Sequence, residues 1–477
     1  MPILTLTAAI AALYVYALGG VGMLGPDEPR YAAIGRAMAR TGDFVTPRLW
    51  SSPWFEKPPL LYWMTAAGTL AGLGPELAAR LPVVLLSLVF LGASYALLLD
   101  EFGFKTAAVS TTLLASSAAW IAFTDLSLTD LPLAVFFSLA VFLALPLLRF
   151  KPELQHICWR FAAIGACLGI AALAKGLVPI GLALPLFWFL RPYWRDWWSA
   201  VAALFAVALP WYVAVTARNG PAFLQEFFLK HHFERLYSSA LQHVQPWYYY
   251  VPVLLLALFP WTPLLFAAAR IPWDQRRRFL AAVFLFGFLA FSLSLNKLPG
   301  YLLPLLPSLF VLIASGFESL PLARLPRWWM FACAVLIATL PPLARALPLA
   351  LITGRFSAIA VTHLSRVELF FAASPILVVL LARRSWIGPL LVLCIVAGGI
   401  YLKTLAFPIL DRFVSARWYA AQISNLHAIC DGGMNRDWIF GISFYRDTAL
   451  KPCATGKFDF AIRSQGRAMP TVEPLKP

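Results

Sequence analysis

The sequence predicts an all-α polytopic membrane protein that carries a small α/β unit at its C-terminal end. Of its 477 residues, 61% are hydrophobic and only 13% are charged, whereas soluble proteins have about 25% charged residues. Apolar stretches recur at the length a helix needs to cross a bilayer, about 20 residues. After about residue 406 the pattern stops, and Asp411, Arg412, Arg417, Asn425, Asp431, Asn435, Arg436 and Asp437 follow in quick succession.

About thirteen spans are expected, near residues 3–22, 79–99, 106–124, 130–148, 161–175, 177–190, 199–216, 247–268, 279–295, 300–316, 328–346, 368–382 and 387–405. The first begins Met1-Pro2-Ile3 without a basic leader and reads as an uncleaved span. The formal charge of +16 is topological in origin. Its clusters (Arg149, Lys151 and Arg160; Arg191 and Arg195; Arg270 and Arg276 to Arg278; Arg324 and Arg327; Arg383 and Arg384) all fall on one side of the span count. Cytoplasmic loops have this bias, so the basicity does not point to nucleic acid. The loop at 23–60, the loop at 217–246 and the C-terminal unit then share the other, outer side. This gives a membrane domain over 1–405, with outer loops at 23–78 and 217–246, and a small outer domain over 406–477.

The first outer loop opens with Gly25-Pro26-Asp27-Glu28-Pro29-Arg30-Tyr31-Ala32. Pro29 suits the first turn of a helix, where its missing N–H is no loss. Tyr31, Ile34 and Met38 repeat at helical spacing, so a surface helix is expected over 30–40, with Asp27 and Glu28 at its positive N-terminal end. Trp50, Trp54, Phe55, Tyr62 and Trp63 serve as interfacial anchors, and a second surface helix is expected from Pro59 to about Leu73. In the C-terminal unit, 417–429 has helical spacing, 438–445 and 458–462 read as strands, and 469–477 reads as disordered. Cys430 and Cys453 lie where oxidising conditions allow a disulfide. Cys158, Cys167, Cys333 and Cys394 lie in or beside spans and are expected only to pack.

Charges at a bilayer edge are costly unless they are paired or functional. Asp27 suits a helix cap or a reacting carboxylate. Arg30 and Lys57 suit local pairing and snorkelling, or capture of a lipid phosphate by a guanidinium fork and a point cation. Asp125, Asp130, Lys175, Lys297 and Tyr301 fall at the outer ends of later spans, either as a salt-bridge network or as the lining of a cavity. One of the adjacent His231 and His232 could join Glu56 on a divalent cation, His232 being preferred. No Walker loop or dinucleotide fingerprint occurs.

The Asp-Glu-x-x-Arg-Tyr-Ala pattern from Asp27 and the Glu-Lys-Pro-Pro run from Glu56 together resemble the first outer loop of the GT-C membrane glycosyltransferases, in the superfamily of aminoarabinose transferases and protein mannosyltransferases. The resemblance extends loosely over 1–405. It implies the GT-C fold, a polyprenyl-phosphate-linked sugar donor, no obligatory cofactor and a lipid, glycan or protein acceptor in the cell envelope. It also implies Asp27 as the catalytic residue, with Arg30 and Lys57 on the carrier phosphate. Lys175, Lys297 and Tyr301 join the donor site, and Glu28, Tyr31, Glu56, Asp125 and Asp130 support it. The His-x-x-Arg spacing at His232 is part of the likeness. On such a site the cations would neutralise the leaving phosphate, and Asp27 would take the acceptor proton with inversion at the sugar. Lipid A modification and protein glycosylation both fit. A transporter or flippase is the alternative from another class, but its expected internal repeats are not visible and the polar residues sit in outer loops.

Overall fold

Helix follows helix from Pro2 to Phe413 in the computed structural model, which describes residues 2–149, 156–227, 244–317, 327–353, 364–464 and 469–475. The first helix, α1 (Pro2–Val15), leads into α2 (Asp27–Thr41), a hairpin of β1 (Arg48–Leu49) and β2 (Ser52–Pro53), and α3 (Leu60–Leu70). Next come α4 (Pro75–Ala115), α5 (Ala118–Thr124), α6 (Asp130–Ala144), α7 (Ile157–Lys175), α8 (Val178–Leu182), α9 (Leu184–Phe189) and α10 (Trp197–Asn219). The bundle is completed by α11 (Pro221–Leu224), α12 (Tyr250–Ala257), α13 (Gln275–Leu293), α14 (Leu306–Ser315), α15 (Arg327–Ala338), α16 (Leu340–Thr353), α17 (Arg366–Leu381) and α18 (Arg384–Phe413).

Among the described residues, five helices are long and apolar enough to cross a membrane, and up to seven if each of two bent pairs counts as one span. The larger expected number reflects spans built from broken pieces. Helix α4 has 41 residues, about twice what one crossing needs at 1.5 Å per residue. It is broken at Gly103, whose φ of 76° lies in the left-handed region, so it accounts for two of the expected spans. Pro179 and Pro185 fall in the first turns of α8 and α9, where proline begins a helix but cannot continue one. Beside the Gly103 break, buried Glu101 pairs with Arg149 at 2.6 Å and Arg276 at 3.3 Å. Two of the basic loops thus meet at one face of the bundle.

The opposite face carries α2, α3 and the C-terminal unit. Gly35 of α2 lies so close to α3 that an added Cβ would stand 2.5 Å from Thr65 Cβ, which fixes these two helices in tight contact. The chain entering α2 is held by side chains. Arg80 of α4 forms a two-pronged pair with Glu28, both bonds at 2.8 Å, and donates to the carbonyls of Leu18, Val21 and Gly22. All five guanidinium N–H groups are used. Glu28 in turn accepts from the backbone N–H groups of Leu24 and Ser127. Arg80 is 1% exposed and Glu28 is fully buried.

The C-terminal unit comprises α19 (Ala416–Gln422), β3 (Ile429–Asp431), α20 (Arg436–Arg446), β4 (Phe460–Arg463) and β5 (Thr471–Pro474). Strand β3 runs parallel to β4 and β4 antiparallel to β5. Three expectations are corrected here. Residues 438–445 form helix, because the Asn435 side chain caps the N–H of Asp437 and Trp438 and Ile442 meet the small core one turn apart. Residues 471–474 form a strand rather than a disordered tail, since Val472 pairs with Ile462. The last membrane helix runs on to Phe413, past the expected boundary at 405. The Cys430–Cys453 disulfide is present.

The unit is docked by polar contacts to both ends of the first loop. Gly22 N–H donates to Asp411 and Met23 N–H to the Tyr445 hydroxyl, which donates to Glu76. Arg417 donates to the carbonyls of Gly19 and Gly20 and pairs with Asp411 at 2.8 Å. A Cβ on Gly22 would stand 2.1 Å from Ser415 Oγ, so only glycine fits there. On α2, Arg36 and Arg40 both pair with Asp447. Burial pushes the Asp447 carboxyl up, but the Arg40 hydrogen bond and the two positive charges outweigh it and hold it below its usual range.

Replacing Arg80 with Met should strand a buried carboxylate at a cost of about 3–5 kcal/mol. The melting temperature of the detergent-solubilised protein should fall sharply, with partial recovery when Glu28→Gln is added; an unchanged melt would contradict the pairing. The depressed Asp447 pKa means its contribution is present above the unfolded carboxylate value of about 4 and lost as pH falls through the folded one. Asp447→Asn should therefore loosen the C-terminal unit at pH 7 by about 0.5–1 kcal/mol for so exposed a pair. Limited proteolysis near residue 414 reads this, and the difference from wild type should shrink as pH falls below about 4.

Candidate active site

The first loop delivers its charged residues to one place. Asp27 begins α2, whose N-cap Pro26 makes no side-chain cap. The Asp27 carboxylate does not cap the helix but accepts from Arg30 one turn on. Arg30 also donates to Pro26 O at 3.0 Å and to Glu56 at 2.9 Å, and Glu56 lies 3.4 Å from Lys57 Nζ. Two acids and two bases thus form a nearly neutral quartet. Its members differ in access: the Asp27 side chain is 39% exposed, and that of Arg30 is 3% exposed beneath it. Burial alone would lower the Arg30 pKa, but Glu56 and Asp27 outweigh it and raise it above its ordinary value, so the group stays cationic.

Aromatic rings wall the quartet. The Arg30 guanidinium carbon lies 5.4 Å from the Trp54 ring centroid and 5.8 Å from that of Tyr31, and Tyr31 packs on Tyr62 at 5.9 Å. Burial, reinforced by the negative charges of Glu56 and Asp27, raises the Tyr31 pKa and keeps its hydroxyl neutral. Among the described residues, the buried Tyr62 hydroxyl and Trp54 indole N–H have no hydrogen-bond partner. Unpaired buried polar groups cost about 1–3 kcal/mol each, and these two lie beside the quartet. Phe55, between Trp54 and Glu56, is anchored edge-on to Phe223 at 5.3 Å and packs in a cluster with Ala172 and Leu173 of α7. This fixes the Glu56-Lys57 turn against the bundle.

The other sequence-predicted residues divide among separate contacts. Asp130 pairs with Lys175 at 2.6 Å, and Lys175 lies 4.6 Å from the Tyr301 ring, so two expected donor-site residues and one expected supporting residue form a second cluster. Lys175 stands two residues beyond Leu173, which shares a hydrophobic cluster with Phe55. Lys297 instead bonds the carbonyls of Gln245 and Ser294, tying two loop segments together. Glu28 serves the Arg80 pair behind the quartet. Asp125 meets Lys403 of α18 at 2.8 Å. His232 lies outside the described residues. Among the described residues, no three His, Cys, Asp or Glu side chains gather as metal ligands.

Arg80 and Lys403 are absent from the sequence-derived candidates, although both are charges within apolar spans, the signal that marks such residues. Trp54 and Tyr62 are read from sequence only as anchors. Phe440, 4.9 Å from Arg30, comes from 410 residues along the chain and carries no local signal.

Comparison with known proteins places this geometry in context. The chain is 33% identical over 325 residues to the undecaprenyl phosphate-alpha-4-amino-4-deoxy-L-arabinose arabinosyl transferase of Pseudomonas aeruginosa strain UCBPP-PA14, a match spanning 65% of this chain and 58% of that protein. A counterpart of the same function, from Proteus mirabilis strain HI4320, is 29% identical over 329 residues, or 63% of this chain and 57% of that one. The chain thus spans somewhat over half the length of these relatives. A crystal structure of ArnT from Cupriavidus metallidurans bound to undecaprenyl phosphate superposes with a TM-score of 0.76 at 26% identity, covering 94% of this chain and 85% of that one. The archaeal oligosaccharyltransferase AglB from Archaeoglobus fulgidus, in complex with an inhibitory peptide and a dolichol-phosphate, shares the fold, with a TM-score of 0.51 at 13% identity over 95% of this chain and 65% of that one. The model of the dolichyl-phosphate-mannose-protein mannosyltransferase family matches residues 2–270, more than half of the chain including the whole quartet, and the protein belongs to that family.

Proposed function

We propose that the protein is a membrane glycosyltransferase that moves a sugar from a polyprenyl-phosphate carrier to a cell-envelope acceptor, with Asp27 as general base. The observation that carries the reading is the difference in access within the quartet: an open carboxylate at Asp27 held from below by the buried Arg30. In the reaction the acceptor hydroxyl attacks the anomeric carbon, its proton passes to Asp27, and the bond to the carrier phosphate oxygen breaks on the opposite face. Lys57 neutralises the departing phosphate, and Arg30 keeps Asp27 oriented. Tyr62 and Trp54 offer unpaired donors to the sugar. If the acceptor is a phosphate, it arrives already ionised and Asp27 instead stabilises positive charge at the anomeric carbon.

The relatives' activity makes an undecaprenyl-phosphate aminoarabinose the first donor to test; lipid A, an envelope glycan, another lipid and a protein are the acceptors to compare. The reading puts the protein in the inner membrane with the quartet facing the periplasm. The basic loops gathered on the opposite face support that orientation, as does a disulfide in the C-terminal unit, which suits an oxidising compartment. No step calls for a metal. A divalent cation bound by Glu56 and His232 is the arrangement that would add one, at a carboxylate already neutralised by Arg30 and Lys57.

Purified protein should transfer label from polyprenyl-phosphate aminoarabinose to lipid A, and Asp27→Asn should lower kcat by about 10²–10⁴ with little change in melting temperature. Transfer that survives Asp27→Asn would remove the base assignment. Lys57→Ala should raise the donor KM about tenfold. Activity should persist in EDTA; its loss, with recovery on adding a divalent cation, would instead assign a metal to Glu56.

A further inference from the structure

We propose that Phe440, supplied by the C-terminal unit, is a positioning residue of the active site that acts through Arg30. The assignment rests on the glycosyltransferase reading and extends it to a part of the chain outside the matched family region.

The Phe440 centroid is 4.9 Å from the Arg30 guanidinium carbon, closer than the rings of Trp54 or Tyr31. Pro26, Glu56 and Asp27 fix the guanidinium by hydrogen bonds at its edges. Hydrogen bonds at the edges of a planar group resist in-plane rotation and leave tilting weakly opposed. An aromatic ring against the group opposes the tilt and keeps water away from its charges. Phe440 is itself held in register. One turn further along α20, Phe444 receives Arg36 at 4.3 Å, and Arg36 also donates to Phe444 O at 2.8 Å. Beyond that, Asp447 binds both Arg36 and Arg40. Helices α2 and α20 are thus joined by paired arginine–aromatic contacts, and the first of them falls on the arginine that holds Asp27. Arg436, 5.7 Å from Phe440, adds a second guanidinium at the same ring.

The test measures steady-state transfer from undecaprenyl-phosphate aminoarabinose to lipid A. It uses the full chain as wild type, Phe440→Leu, Phe440→Tyr, Phe440→Trp, Arg30→Lys and the Arg30→Lys/Phe440→Leu double variant. Phe440→Leu keeps an apolar side chain and removes the ring. It should lower kcat about tenfold, with donor KM within twofold of wild type and an unchanged melting temperature. Phe440→Tyr and Phe440→Trp keep a ring and should retain most of the rate. In the Arg30→Lys background, Phe440→Leu should have no further effect, since the group it positions is gone. A Phe440→Leu rate within twofold of wild type, or losses that multiply in the double variant, would overturn the assignment while leaving the functional reading intact. A loss in Phe440→Leu that tracks a fall in melting temperature, with no rescue by Tyr or Trp, would reduce Phe440 to packing. Wild-type protein that transfers no sugar from any polyprenyl-phosphate donor would overturn both.

Discussion

The buried pair of Glu28 and Arg80 is the constraint on which the outer face of this protein depends. Two opposite charges removed from water gain from each other only when every remaining donor and acceptor is also satisfied. Here the partners that satisfy them are the carbonyls of Leu18, Val21 and Gly22 and the amides of Leu24 and Ser127. Apart from Ser127, which lies between α5 and α6, these groups belong to an irregular stretch that leaves α1 and would otherwise bring unpaired backbone into a largely apolar bundle. The pair therefore sets where α2 begins, and with it where Asp27 stands. Adjacent residues divide the work: Glu28 points inward as an anchor, and Asp27 keeps access to the exterior.

Around the quartet, each charge has a stated counterpart. Arg30 answers both acids, and Lys57 answers Glu56. Such balance lets four charged side chains stand at a membrane edge without a large desolvation cost. The cluster of Asp130, Lys175 and Tyr301 repeats the arrangement on the next helices, with the Phe55 anchor on α7 as the mechanical link between them.

Much of this is legible in the sequence, for definite reasons. Asp27, Arg30, Glu56 and Lys57 stand out because charge is rare in this chain and theirs is concentrated in two short runs beside prolines. Helices α2 and α3 follow from periodicity and proline placement. The partners of those residues are harder to find, because Arg80 and Lys403 are single letters in long apolar runs whose meaning depends on which helix they face. The segment Trp438 to Tyr445 mixes aromatic, β-branched and small residues, which suits a strand as well as a helix, and only the cap at Asn435 and the small core decide it. The spans assembled from broken helices are likewise hidden, since a window of apolar residues reads the same whether or not prolines interrupt it.

The order of the chain gives the docked C-terminal unit a meaning in time. Synthesis completes α2 and its exposed Asp27 carboxylate early. The residues that bind Gly22, Met23 and Arg36, namely Asp411, Tyr445 and Asp447, emerge only with the last helix of the bundle and the unit that follows it. Until then the first loop lacks its outer wall, and a nascent or truncated chain carries an open, loosely held quartet. The C-terminal unit thus closes a wall around a group laid down near the start of the chain, so a chain interrupted before α19 would carry the quartet without it.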